Sequence, residues 1–90
     1  MAPRKDIMRL DKFLKVSRIV KRRTVARDMA AAGRIDVNGR QAKPGTEVKI
    51  GDVLDIGFGQ QRTRVRILEL REHVRKEEAS SLFEVLPLES

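Results

Sequence analysis

The chain is 90 residues long and carries a formal net charge of +7, with neither cysteine, tryptophan nor tyrosine. That length bounds it to one small domain, which buries about 60% of its extended surface and leaves little volume for an enclosed catalytic chamber. Without cysteine there are no disulfides, zinc ribbons or thiol chemistry, and the single histidine, His73, excludes most histidine-based metal sites.

Residues 1–7 read as a flexible leader ahead of one domain spanning 8–90. The start, Met-Ala-Pro-Arg-Lys-Asp, has charge but no apolar stretch behind it, unlike a secretory signal. No apolar run approaches the ~20 residues of a membrane span, so a cytoplasmic protein is expected. From Arg9 the spacing predicts a helix with Leu10, Phe13, Leu14 and Ser17 along one side and Lys12 and Lys15 pointing away. Asp11 falls in its first turn, where it suits the helix dipole. Ile19 and Val20 enter a turn. Thr24 is the expected N-cap of a second helix, Val25 to Ala32, packed through Val25, Met29 and its alanines and stopped by Gly33.

From Arg34 the period becomes two. Ile35 and Val37 alternate with polar residues, and Asn38-Gly39 is a strong hairpin signal leading to a short strand near Arg40 to Ala42. Pro44-Gly45 and Gly51-Asp52 mark turns; Val53, Leu54 and Ile56 predict a strand, and Gly57-Phe58-Gly59 a turn after it. Arg62 to Leu70 forms the clearest strand, with Thr63, Val65 and Ile67 on one face and Arg62, Arg64 and Arg66 on the other. One helical turn within 75–81 and a closing strand from Leu82 to Leu86 complete an α+β domain: two helices, then a small, mostly antiparallel β-sheet.

Charge is confined to the front of this order. Residues 1–27 hold ten bases and two acids, whereas residues 28–90 hold ten bases and eleven acids. A one-sided cationic field attracts polyanions, and nucleic acid is the partner class it implies. The sharpest local feature is Lys21-Arg22-Arg23 directly before Thr24. A helix start already carries partial positive charge, so acids suit it and three cations do not, unless phosphate oxygens supply the missing charge. Arg18, Lys15, Lys12 and Arg9 extend the cationic surface along the first helix. The only aromatics are Phe13, Phe58 and Phe83, too few for a base-stacking platform, so the expected mode is recognition of folded RNA by backbone and charge. Cross-strand pairing with acids is the favoured role of Arg62, Arg64 and Arg66 over a second binding strip.

These residues also carry a family pattern. Met8-Arg9-Leu10-Asp11-Lys12-Phe13-Leu14, Ser17-Arg18, Lys21-Arg22-Arg23-Thr24, Ala26, Gly33-Arg34-Ile35 and Val37-Asn38-Gly39 resemble the S-four RNA-binding domain, a module of two helices followed by strands. The core motif covers about 8–56 and the strand and tail extension 57–90. With Gly51-Asp52, Arg64 to Leu70 and Arg75-Lys76-Glu77-Glu78-Ala79 included, the chain is similar over about 8–86 to the stand-alone factors of ribosome-associated quality control related to heat-shock protein fifteen. The resemblance implies a non-enzymatic factor on the large ribosomal subunit, contacting its rRNA (23S) and the P-site peptidyl-tRNA. It further implies cooperation with the factor that recruits alanyl-tRNA for tailing of stalled chains. Its implied RNA-binding residues are Arg9, Asp11, Lys12, Lys15, Arg18, Lys21, Arg22, Arg23 and Thr24, with Asp11 orienting Arg9 or a neighbouring base. No catalytic residue, cofactor or metal is expected, and a monomer is. Family members often begin at the methionine matching Met8, so starts at Met1, adding Arg4 and Lys5 to the surface, and at Met8 both stay open. A recycling role on the large subunit without tailing is the alternative. A helix-turn-helix DNA regulator ranks lower because Val25-Ala26-Arg27 offers one base-reading side chain. A membrane-surface helix ranks low too, its large apolar residues being needed in the core.

Overall fold

The computed structural model describes residues 7–88, and the leader Arg4 and Lys5 lie outside the described residues. In chain order the elements are β1 (Met8–Arg9), α1 (Leu10–Val16), α2 (Arg23–Ala31), β2 (Ile35–Val37), β3 (Arg40–Gln41), β4 (Glu47–Val48), β5 (Val53–Phe58), β6 (Gln61–Ile67), a 3₁₀ helix (Lys76–Leu82) and β7 (Phe83–Leu86). The architecture is α+β, with a five-stranded antiparallel sheet in the order β3-β2-β5-β6-β7 and a separate β1-β4 ribbon.

The two helices pack on each other and share one apolar core with the sheet. Leu10, Phe13 and Leu14 of α1 are fully buried, as their spacing requires. From α2 only Ala26 and Ala30 are fully inside, and these small side chains let the two helices approach closely. Val25 departs from the sequence expectation: it is 43% exposed. The helix start differs too. The Ala26 N–H donates to the Arg22 carbonyl, so Arg23 is the first helical residue, Arg22 is the N-cap, and no side chain caps the end. Thr24 sits inside the first turn instead of capping it, and the Ala26–Ala30 line, not Val25, faces the core. At the other end Gly33 (φ 77°) closes a Schellman motif, its N–H bonding the Ala30 carbonyl and the Arg34 N–H that of Met29.

Asn38 (φ 52°) and Gly39 (φ 82°) form the expected two-residue hairpin turn. Asn38 also ties that turn to the next one. Its Nδ2 donates to the buried Asp52, whose carboxylate also accepts from the Lys49 N–H, and its Oδ1 accepts from the Val53 N–H. Gly57 and Phe58 belong to β5, so the turn expected at 57–59 comes later, at Gly59 and Gln60, with Phe58 paired to Gln61. Gly57 lies close to another backbone: its N–H donates to the Arg34 carbonyl at 2.8 Å, and a Cβ there would crowd that oxygen at 3.3 Å. β6 stops at Ile67 rather than Leu70, because the Leu68 and Glu69 N–H groups both turn to the Leu82 carbonyl.

The β1-β4 ribbon has no local sequence signal. It pairs Met8 with Val48 and Arg9 with Glu47. The Leu10 N–H then donates to the Thr46 carbonyl and the Asp11 N–H to that of Pro44, so the 43–46 turn satisfies donors that a helix start leaves open. Both Arg9 and Asp11 are thereby fixed by a segment 35 or so residues downstream.

Candidate nucleic-acid interface

Asp11 is the centre of the cationic region, and its side chain is almost wholly buried. Its carboxylate accepts from Arg9 through Nε and Nη2, each at 3.3 Å, and from Arg23 Nη2 at 3.5 Å. One buried anion thus holds two guanidiniums. These bonds are long, so each is weak, but together they orient both forks toward the same opening. The two arginines remain about half exposed, at 53% and 47%. The cluster keeps one net positive charge with free donors facing water. Asp11 is thus placed to orient both arginines from the floor of the opening.

The opening is a cleft of about 360 Å³ lined by Arg9, Asp11, Arg23, Thr24 and Arg27. A neighbouring hollow of about 260 Å³ shares Thr24 and Arg27 and is closed by Asp28, Ala31 and Pro44. The uncapped first turn of α2 borders both, adding the partial positive charge of a helix start to that of the side chains. Gly45 lies beneath the Arg9 fork, where an added Cβ would come within 3.7 Å of Nη2. Arg27, outside the residues the family resemblance implies, joins them here, its i+4 spacing from Arg23 putting it on the same helical face.

The remaining expected site residues do not form one continuous wall with this cleft. Lys12 is ion-paired with Glu72, sixty residues away, and so is already neutralised. Lys15 and Arg18 border a separate hollow of about 130 Å³ with Val16, Glu72, His73 and Val74. Arg18 adopts a left-handed backbone (φ 61°), a conformation costing a non-glycine residue about 1–2 kcal/mol. Lys21 and Arg22 are exposed, and like Lys15 and Arg18 they show no ion pair among the described residues. His73 and Glu72 could not be linked to α1 from sequence, because only tertiary packing brings them there.

On the sheet, Arg62 meets Asp36 at 3.7 Å, Arg64 meets Asp55 at 2.8 Å and Arg66 meets Glu84 at 3.0 Å. Cross-strand pairing is what these arginines do. Among the described residues no group of three or more His, Asp or Glu side chains could hold a metal ion, and no helix is long and apolar enough to cross a membrane.

Comparison with known proteins matches residues 8–54 to the S4 domain. The chain is 62% identical over 78 residues to the RQC P-site tRNA stabilizing factor of Halalkalibacterium halodurans, covering 87% of this chain and 89% of that one. To the Bacillus subtilis protein of the same name it is 52% identical over 79 residues, covering 88% and 92%. Among solved structures, the trimeric heat shock protein 15 of Vibrio cholerae superposes with a TM-score of 0.82 at 32% identity, over 89% of this chain and 82% of that one.

Proposed function

The chain belongs to the S4 domain family, and from that premise we propose that it is a non-enzymatic RNA-binding factor of bacterial ribosome-associated quality control. In this role it binds a large ribosomal subunit obstructed by peptidyl-tRNA, touching 23S rRNA and the P-site tRNA. By holding that tRNA in place it supports the alanyl-tRNA-recruiting factor as alanine tails are added to the stalled chain.

The observation that carries this reading is the pair of guanidiniums, Arg9 and Arg23, held side by side on the buried Asp11 at the mouth of the cleft. Two positioned forks and an uncapped helix start suit the oxygens of a sugar-phosphate backbone, bound bidentately and without any base being read. Thr24 and Arg27 line the same cleft, Lys21 and Arg22 add exposed cations ahead of α2, and Lys15 and Arg18 add theirs at the far end of α1. Lys12 contributes only if Glu72 releases it, and Asp11 acts through the arginines. The cytoplasm is the compartment this role requires. In this reading a single copy of the chain is the working unit.

Affinity purification of the protein is expected to enrich large subunits that carry tRNA and nascent chain. Equal recovery of empty subunits, small subunits and bulk RNA overturns the proposal. A second reading, recycling of obstructed subunits without tailing, draws on the structural likeness to heat shock protein 15. Deletion of the gene separates the two: loss of alanine tails on stalled chains supports the first reading, and unchanged tails support the second. Sedimentation at working concentration tests the single copy.

A further inference from the structure

We infer that Asp28 is a ribose-reading position: its carboxylate accepts a hydrogen bond from the 2′-hydroxyl of a nucleotide whose phosphate lies in the Arg9–Arg23 cleft. The inference rests on the RNA-binding reading and deepens it. To a surface that grips phosphate it adds a side chain that tells RNA from DNA.

Three observations single Asp28 out. α2 carries its charges in the reverse of the order its dipole favours, with Arg23 opening the first turn and Asp28 in the last. No cation stands three or four positions away on the helix, where the residues are Thr24, Val25, Ala31 and Ala32. Among the described residues Asp28 also makes no side-chain hydrogen bond or ion pair, whereas Asp11 holds two arginines and the sheet acids Asp36, Asp55 and Glu84 each meet one. The fold thus gains nothing from this carboxylate, and a surface built only to attract phosphate would be better without it.

Its place in the structure says what it meets. Asp28 lines the hollow of about 260 Å³ together with Thr24, Arg27, Ala31 and Pro44, and Thr24 and Arg27 also line the Asp11 cleft, so the two openings adjoin. Thr24 and Asp28 lie one turn apart on the same side of α2, about 6 Å along its axis. A carboxylate repels phosphate and only accepts hydrogen bonds, so its partner here is a donor. Nucleic acid offers two kinds, the 2′-hydroxyl and the N–H groups of bases. No aromatic ring lines the hollow to stack a base, and its apolar side is only Ala31 and Pro44. The sugar, by contrast, is joined directly to the phosphate next door. Its hydroxyl reaches Asp28 while its C–H face rests on Ala31 and Pro44. Either the P-site tRNA or the large-subunit rRNA supplies the nucleotide.

The test uses the full chain and two RNAs, a deacylated tRNA and a 23S rRNA transcript. Each is prepared with natural ribose and with 2′-fluoro ribose, which keeps the A-form sugar pucker but has no hydroxyl proton. The wild type is expected to bind the natural form of at least one RNA about tenfold more tightly than its fluoro form. Asp28→Ala is expected to narrow that ratio about fivefold, and Asp28→Asn, which keeps an acceptor, to retain most of it. Arg23→Ala is expected to weaken both forms alike and leave the ratio in place, because it removes a phosphate contact. The RNA whose ratio responds identifies the source of the ribose. Equal binding of the two forms by the wild type, or a ratio left intact by Asp28→Ala, overturns the inference. So does an Asp28→Ala chain that weakens on both forms alike, which assigns the carboxylate to a base or a bound cation, or that tightens on both alike, which leaves it a bystander repelling RNA. Asp28→Ala is expected to keep or raise the melting temperature, since alanine is the better helix former and the clash with the dipole is gone. A lowered melting temperature overturns the premise that the fold gains nothing from Asp28. If Arg23→Ala weakens binding while Asp28→Ala leaves the ratio intact, only this inference fails. If the wild-type chain binds neither RNA, the RNA-binding reading fails with it.

Discussion

Asp11→Asn separates charge from positioning as the source of RNA affinity. A purely electrostatic view predicts tighter binding, because a negative charge near the phosphates disappears. For a phosphate held just beyond the guanidiniums, about 7 Å from the carboxylate in a water-like dielectric, that gain is about 0.6 kcal/mol. The geometry predicts the opposite. Asparagine places one neutral oxygen where two anionic ones accept from Arg9 and Arg23, and it turns an NH₂ toward groups that are themselves donors. Both side chains then have to be ordered by the RNA, at about 0.5–1.5 kcal/mol each. Twice that cost less the electrostatic gain leaves a net weakening of about 1.4 kcal/mol, or roughly tenfold in Kd. Fluorescence anisotropy with labelled tRNA at low salt measures it, and thermal melting is the control. The melting temperature is expected to fall somewhat, because Asp11 is buried and the new amide NH₂ faces donors, so the affinity is measured well below the melting transition. Unchanged or tighter binding by Asp11→Asn refutes the positioning argument.

Other expectations use the same assays. Arg9→Ala and Arg23→Ala are each expected to lose about 1–2 kcal/mol of binding, as charge-assisted bonds to phosphate do, whereas Arg75→Ala loses almost none; equal losses at all three would make the surface a diffuse cloud. Arg64→Gln, which removes the ion pair with Asp55, is expected to leave RNA affinity unchanged within twofold, and a larger loss would restore the sheet as a binding strip. Asp52→Ala removes the acceptor shared by the Lys49 N–H and Asn38, and chemical denaturation is expected to show a loss of about 1–3 kcal/mol with binding kept in the folded fraction. Phe13→Ala empties the centre of the core at a cost of about 3–5 kcal/mol, and circular dichroism should show a chain largely unfolded at working temperature.

What was legible in the sequence is what repeats locally. Leu10, Phe13 and Leu14 announce α1, Asn38-Gly39 the first hairpin, and Val65 and Ile67 the buried face of β6, because each signal lies within a few residues of its neighbour. α2 starts at Arg23, two residues before the expected Val25, since a hydroxyl at Thr24 outweighs Arg22 by capping preference alone, while the backbone begins the helix without a side-chain cap. The site was legible in composition but not in arrangement. Nothing local shows that Asp11 is buried or that it holds Arg23 twelve positions on. The Lys12–Glu72 pair, the β1-β4 ribbon and the approach of His73 to Arg18 join segments tens of residues apart, and no periodicity encodes them. Those long-range contacts split an apparently uniform basic stretch into an oriented pair, a neutralised lysine and a strained corner.

The arginine–carboxylate ladder across β6 has a consequence for motion before contact. With Arg62, Arg64 and Arg66 each matched to an acid, the sheet is electrically quiet while the helical end is not, so the molecule is a lopsided body with a substantial dipole. Near a dense polyanion such a body feels a torque as well as a pull, and it turns its helices forward while still in solution. Productive collisions are then more frequent than random tumbling allows, and added electrolyte slows arrival as well as loosening the hold. Neutralising one acid of that ladder would leave every helical cation in place, yet the extra positive charge on the sheet would blunt the compass that aims them.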